Sequence, residues 1–253
     1  MDPFLLVAAL QVPGAIVVTG SREPVAQAEA AASVTTIEER ALKVLDLPQG
    51  ADALRLLPGV SVSVSGPRGT QTQLRIRGAE ANHSLLFIDG IRFNDPAAGN
   101  EARFELLNTD LLSHIELIPG PQSALWGPEA LGGVVSVETA DPFARRGFAA
   151  LAEYGGQDSV RGSAQAAVRR GELGLSANAS WLSGDGIDSF GGAGGDRDGF
   201  DNRSLGLRVA LRPGPGVELG VTGLHVAGTS EYDGFDPVTF RRADTRDETE
   251  NRI

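Results

Sequence analysis

Carboxylates are the side chains of this chain best placed to do chemistry. Asp188, Asp196, Asp198 and Asp233, with Tyr232 beside the last, sit in glycine-rich polar stretches of the C-terminal half. Oxygen donors of this kind suit calcium, which takes roughly 6–8 oxygen ligands. The run Asp196-Arg197-Asp198-Gly199 opens like a helix–loop–helix calcium site, but its twelfth position is Leu207 where such a site needs Glu. Solvated loop acids are the alternative reading of the same residues.

Other site chemistries lack their residues. There is no Cys, so disulfides, thiolate nucleophiles and Cys-based zinc sites are excluded. His83, His114 and His225 are scattered, which argues against a His-rich metal centre. His83 precedes Ser84, but no acid is placed to complete a triad. Gly127 to Gly132 lacks the Lys-Ser/Thr of a phosphate loop. The expectation is a non-enzyme with no catalytic cofactor. A formal net charge of −11, from 22 Lys+Arg against 33 Asp+Glu, also speaks against a nucleic-acid partner.

Two textures divide the elements that must position these acids. Residues 15 to about 142 mix short strands with short helices. Strands are expected at Val60–Val64, Leu74–Arg77, Leu85–Asp89, Ile115–Ile118 and Val134–Glu138. Helices are expected at Glu38–Leu45 and Ala51–Leu57, the second stopped by Pro58-Gly59. Upstream, Phe4 to Leu10 is an apolar run without a positive flank, read either as part of a signal peptide or as a disordered leader.

From about residue 147 the pattern becomes long period-two alternation. Leu173, Leu175, Ala177, Ala179 and Trp181 oppose Gly174, Ser176, Asn178 and Ser180. Leu205, Leu207, Val209 and Leu211 oppose Ser204, Gly206, Arg208 and Arg212. Residues 159–168 alternate likewise, as do 217–222, where a bulge is expected at Gly223. Tight turns at 169–171 and 212–216 contrast with long polar stretches at 182–199 and 227–244. Short turns on one side and long loops on the other mark a membrane β-barrel. Trp181, at an expected strand end, suits the interfacial aromatic belt. A soluble β-sandwich alternates too and is the competing reading. Five strands, with a sixth from Thr245, fall short of the roughly eight of the smallest single-chain barrels, so the chain reads as a fragment of something longer.

Several runs then resemble one family. They are Ala15-Ile16-Val17-Val18-Thr19-Gly20-Ser21-Arg22, Leu54 to Val60 (LRLLPGV), Leu74 to Gly78 (LRIRG) and Leu86 to Arg92 (LFIDGIR). Ile115 to Gly127 (IELIPGPQSALWG) and Ala130 to Val137 (ALGGVVSV) complete the set. In this order they resemble the TonB-dependent outer-membrane receptors of Gram-negative bacteria. Within that family the layout is most similar to the cobalamin (vitamin B12) receptors. The resemblance implies residues 1–14 as leader, 15–22 as TonB box, 23–142 as plug and 146–253 as the start of the barrel. The fold implied is an α+β plug domain followed by antiparallel transmembrane β-barrel strands, about 5–6 of an expected 22.

The resemblance also implies roles. Ala15, Ile16, Val17, Val18, Thr19 and Gly20 would bind the energy-coupling partner TonB, by strand addition. Gln71, Thr72 and Gln73, with Ala98, Gly99 and Asn100, would face the ligand, cobalamin or a ferric siderophore. Asp188, Asp196, Asp198, Tyr232 and Asp233 fall where calcium-binding outer loops lie in the cobalamin receptors. The family motif IRGP is replaced here by Ile118-Pro119-Gly120-Pro121. The missing arginine shifts the expected plug–barrel contact to Arg75, Arg77 and Arg92. The implied product is a monomeric transporter in outer-membrane lipid, or alternatively a shortened plug module that only binds TonB.

Overall fold

The computed structural model describes residues 33–191, 195–214 and 216–253, and the backbone of 16–17 and 25–26. It divides into two compact units. The first takes the chain up to Ser63 and again Gln73–Thr139; the second takes Val64–Thr72 and Ala140–Ile253.

In the first unit, β1 (Ile16–Val17) pairs antiparallel with β2 (Val25–Ala26). Next come β3 (Thr35–Glu38), helix α1 (Glu39–Leu45) and helix α2 (Gly50–Leu54). Asp46 ends α1 in the left-handed region at φ 48°, its N–H returning to the Leu42 carbonyl at 3.0 Å. At Gly50 there is no space for a side chain, since a Cβ there would lie 2.5 Å from Leu107 Cδ2. Helix α2 is shorter than Ala51–Leu57 because residues 55–57 tighten into turns ahead of Pro58.

β4 (Val60–Val64) and β5 (Thr72–Ile76) form a hairpin. After it come β6 (Ser84–Ile88), β7 (Ile91–Arg92), β8 (Asn94–Asp95), β9 (Glu101–Ala102), β10 (Leu112–Pro119), helix α3 (Ser123–Trp126) and β11 (Gly133–Thr139). The central sheet has the order β3-β10-β11-β6-β7, with β11 and β6 parallel and the other pairs antiparallel. All five residues of β6 are buried, as a strand covered on both faces must be. Leu85, Ile115, Leu117, Val134 and Val137 form the centre of the core at 0% exposure. Fully burying side chains of this size is worth roughly 1.5–3 kcal/mol each.

The second unit is a six-stranded antiparallel sheet in sequence order: β12 (Gly147–Tyr154), β13 (Val160–Arg170), β14 (Leu173–Ile187), β15 (Asp198–Gly214), β16 (Val217–Tyr232) and β17 (Asp247–Arg252). The sheet is open, with β12 and β17 as edges. Leu205 at 59%, Leu219 at 61% and Val221 at 73% are exposed, while Ser176 at 1%, Asn178 at 5% and Ser204 at 5% are buried. A soluble sandwich has the reverse arrangement, so that reading is set aside; an apolar face with no protein cover is what lipid requires. Register extends the apolar surface across strands, through Leu173↔Leu211, Leu175↔Val209 and Val209↔Val221.

Three expectations are corrected here. β16 runs through Gly223 opposite Leu207 with no bulge; the register shift lies between Leu211 and Gly214, at the turn. β14 and β16 run on to Ile187 and Tyr232, well past the apolar alternation, so Trp181 lies within a strand and not at its end. Backbone pairing needs no apolar side chains, so strands continue into sequence that looks like loop. Finally, β17 begins at Asp247 and not at Thr245, whose N–H and hydroxyl serve Asp233 and Asp247.

Candidate ligand and cation sites

The loop between β4 and β5 belongs to the second unit and is held by its own bonds. The Ser65 N–H donates to the Gln71 carbonyl at 3.1 Å, and the Thr70 hydroxyl donates to the Pro67 carbonyl at 2.7 Å. Gly69 has φ 90°, and a Cβ there would lie 3.1 Å from Ser230 Cβ. Only glycine meets both demands easily. The Ser230 hydroxyl donates to the Arg68 carbonyl at 3.0 Å, and the Arg68 guanidinium sits 5.4 Å from the Phe200 ring centroid.

Beside this loop lies a cavity of about 610 Å³. Gly66, Pro67 and Arg68 form part of its wall; Gln157, Ser159, Ser189, Asp198, Phe200 and Arg242 form much of the rest. Its volume is within the roughly 300–1,000 Å³ usual for small-molecule sites. Two guanidinium groups, hydroxyls and one aromatic face give it the means to hold a large polar ligand.

The residues expected to face ligand lie elsewhere. Gln71 is exposed at the end of the loop, and the buried Thr72 hydroxyl donates to the Thr70 carbonyl. Gln73 donates to Glu101 at 2.7 Å and accepts from Arg75 at 2.6 Å. Ala98, Gly99 and Asn100 close a turn after Pro96, with φ 66° at both Gly99 and Asn100. Asp95 caps this turn through the Ala97 N–H, and its hydrogen bond to Arg103, more than that cap, holds its carboxyl below the usual range. The Asn100 side chain bonds to the Asn82 carbonyl and to Arg92.

The three arginines expected at a plug–barrel contact have partners in the first unit. Arg75 donates to Ser63 Oγ at 2.7 Å, and Arg92 lies 3.8 Å from Glu129. Arg77 has φ 52° and donates its N–H to the Gly59 carbonyl. Its guanidinium would stand 3.2 Å from a Cβ at Gly120, which has φ 105°. That is the stretch where the family's IRGP motif is altered. Of the expected TonB box, Ile16 and Val17 pair with Ala26 and Val25; Ala15, Val18, Thr19 and Gly20 lie outside the described residues.

Of the five expected metal ligands, Asp196 and Asp233 are brought together, and Asp244 joins them. One carboxylate oxygen from each lies within 4.8 Å of the others. The β16–β17 loop folds back through the Phe235↔Arg242 bridge and the Gly234 N–H to Thr245 Oγ1 bond of 2.7 Å, so Asp233 and Asp244 meet although eleven residues apart. Asp188 is also close, since its carboxylate and that of Asp244 flank Gly195 and leave no space there for a Cβ. A hydrogen bond with Asp196, then desolvation and the charges of Asp196 and Asp188, raise the Asp244 carboxyl above its usual range. Arg246 bonds Asp196 at 2.9 Å from the solvent side. Asp198 points into a different role: it is buried, lines the cavity and accepts the Ser189 N–H at 2.8 Å. Tyr232 ends β16 opposite Asp247. Carboxylate oxygens gathered this closely are a donor set that fits a hard cation such as calcium.

Comparison with known proteins agrees with this architecture. Residues 26–134 match the TonB-dependent Receptor Plug Domain family. The vitamin B12 transporter BtuB of Photobacterium profundum is 33% identical over 228 residues, covering 86% of this chain and 36% of the relative. The same transporter of Vibrio vulnificus (strain YJ016) is 29% identical over 173 residues, covering 68% and 28%. The ferric-catecholate import receptor Fiu from K12 E. coli superposes with a TM-score of 0.69 at 25% identity, over 89% of this chain and 30% of that one. The pyoverdine-bound receptor FpvA of Pseudomonas aeruginosa superposes with a TM-score of 0.73 at 17% identity, over 94% and 32%. The chain thus spans about a third of the length of these proteins. With a plug fold over 26–134 and antiparallel strands whose apolar face is bare, the chain belongs to the family of TonB-dependent outer-membrane receptors, which are receptors and transporters and not an enzyme class.

Proposed function

We propose that this chain is part of a receptor for energy-dependent uptake of cobalamin across the outer membrane, driven through TonB. Support for cobalamin comes from relatives named as vitamin B12 transporters at 29–35% identity. The observation that carries the reading is the cavity between Arg68 of the β4–β5 loop and the outer ends of β14 and β15. A ligand seated there touches the loop that runs into β5, so binding reaches the first unit through the chain itself. TonB adds as a strand along the backbone of Ile16 and Val17, which lie upstream of β3, the first strand of the central sheet. Calcium would be held by Asp196, Asp233 and Asp244, where its charge would offset the mutual repulsion of the carboxylates.

Binding of cobalamin to full-length protein in outer-membrane vesicles, with calcium and with a chelator, tests the reading. Tighter binding with calcium is expected; the absence of cobalamin binding in either condition removes it. Structural likeness to siderophore receptors favours a ferric siderophore as the second reading. A panel of ferric siderophores in the same assay, bound while cobalamin is not, would select it.

A further inference from the structure

The chain leaves the first unit at Thr139, and its next residues are fastened to the second unit by an unusual set of contacts. Phe143 meets two arginines, with Arg212 4.1 Å and Arg169 5.0 Å from its ring centroid. Both distances are inside the cation–π range of roughly 6 Å. The two arginines come from the ends of two different strands, Arg169 of β13 and Arg212 of β15, each beside a short turn. Arg212 also pairs with Asp141 at 3.1 Å and with Glu218 at 2.7 Å, so its head group is fixed from three sides.

The sheet is shaped to receive this segment. A Cβ at Gly174 would stand 2.8 Å from the Phe143 ring and 2.9 Å from Pro142. No positive φ demands glycine at 174; the space is what demands it. The buried Ser176 hydroxyl donates to the Ala140 carbonyl at 2.8 Å, and Arg145 donates to Gln165 at 2.7 Å. A covalent linker needs none of this to connect two units. A lone flexible connection of similar length would have solvated backbone and no dedicated notch.

We propose that residues 140–145 are a fixed anchor, in which Phe143 pinned by Arg169 and Arg212 holds the C-terminal exit of the first unit while its N-terminal end is pulled. Opening is then polarised. Strand β3 and the elements after it yield to the pull, and unravelling stops at Thr139. The pull rests on the proposed TonB coupling; the clamp itself does not.

Hydrogen exchange of the 140–146 amides, measured by mass spectrometry on full-length protein in outer-membrane vesicles, tests the clamp without ligand or partner. Gly174→Val fills the notch, and Arg212→Ala removes the central cation. Each is expected to raise exchange in 140–146 at least tenfold, and tryptic cleavage after Arg145 and Arg146 with it, while the amides of β13 and β14 keep their wild-type rates. Unchanged exchange in both variants, or wild-type amides exchanging like an unstructured peptide, overturns the clamp. Single-molecule pulling from the N-terminus tests the polarity. Wild type should stop lengthening at Thr139, and Gly174→Val should release the next seven residues, about 24 Å at about 3.4 Å each. Equal final lengths overturn the anchoring role even where the exchange result stands.

Discussion

Glu38 of β3 and His114 of β10 face each other across the sheet, with Glu38 Oε1 3.2 Å from His114 Nδ1. The other ring nitrogen lies 3.0 Å from the buried Glu116. Both nitrogens can donate only when the ring is protonated. Burial opposes that charge, but the Glu116 hydrogen bond and the charges of Glu38, Glu116 and Glu138 outweigh it and raise the His114 pKa. A raised pKa adds stability that is complete below the unfolded value of about 6.5 and fades as pH climbs through the folded value. Exchange of the Thr35–Glu38 amides, corrected for intrinsic rate, should therefore quicken as pH rises above about 6.5. His114→Gln should flatten that dependence and cost about 1–3 kcal/mol by weakening the support of buried Glu116. A pH-independent β3 in the wild type would rule the pairing out as its cause.

The acid cluster makes a prediction of opposite sign for a single change. Ionised Asp244 is disfavoured by its neighbours when no cation is present. Asp244→Asn should then stiffen the β16–β17 loop in chelator while weakening calcium affinity tenfold or more. Terbium luminescence and loop exchange read the two effects. Protons compete with the cation, so affinity should fall on acidification, starting at higher pH than for an isolated carboxylate. Asp198→Asn should leave terbium binding nearly intact, since its carboxylate serves the Ser189 N–H.

The bare apolar face is directly testable. Leu207 is 49% exposed and sits mid-strand in β15. Leu207→Arg should cost about 2–4 kcal/mol in a bilayer and little in a polar medium. Urea unfolding of the full-length protein in lipid measures it. A neutral outcome would mean that this face does not meet hydrocarbon.

At the cavity, Arg68→Ala should weaken ligand binding about tenfold, in line with loss of one charged hydrogen bond. Equilibrium binding of cobalamin and of ferric siderophores to the variant checks it. Gly69→Ala strains a residue at φ 90° and crowds Ser230, so it should disturb the same wall. A ligand affinity unmoved by both changes would place the binding surface elsewhere.

Much of this was readable from residue order. Alternation from Leu173 to Trp181 and from Ser204 to Arg212 marks strands and assigns their faces, because successive strand side chains alternate by geometry. Pro58-Gly59 ends a helix, and the apolar runs around Leu85, Ile115 and Val134 had to be core strands. Composition alone excludes thiol chemistry and speaks against a nucleic-acid partner.

Contacts between distant residues are the part that only the tertiary structure decided. Asp244 joins Asp196 and Asp233 because a loop doubles back, and no local pattern encodes that return. Arg68 reaches Phe200, and Ser230 bonds the Arg68 carbonyl, across a separation that sequence spacing does not express. Gly174 looked like one more small residue of an alternating strand until Phe143 and Pro142 filled the space beside it. The sequence by itself determined the periodicities and the family motifs, since both are local. Which carboxylates gather, which arginines meet one ring and where a cavity opens depend on closure of the chain over long separations, and only the folded structure supplies that.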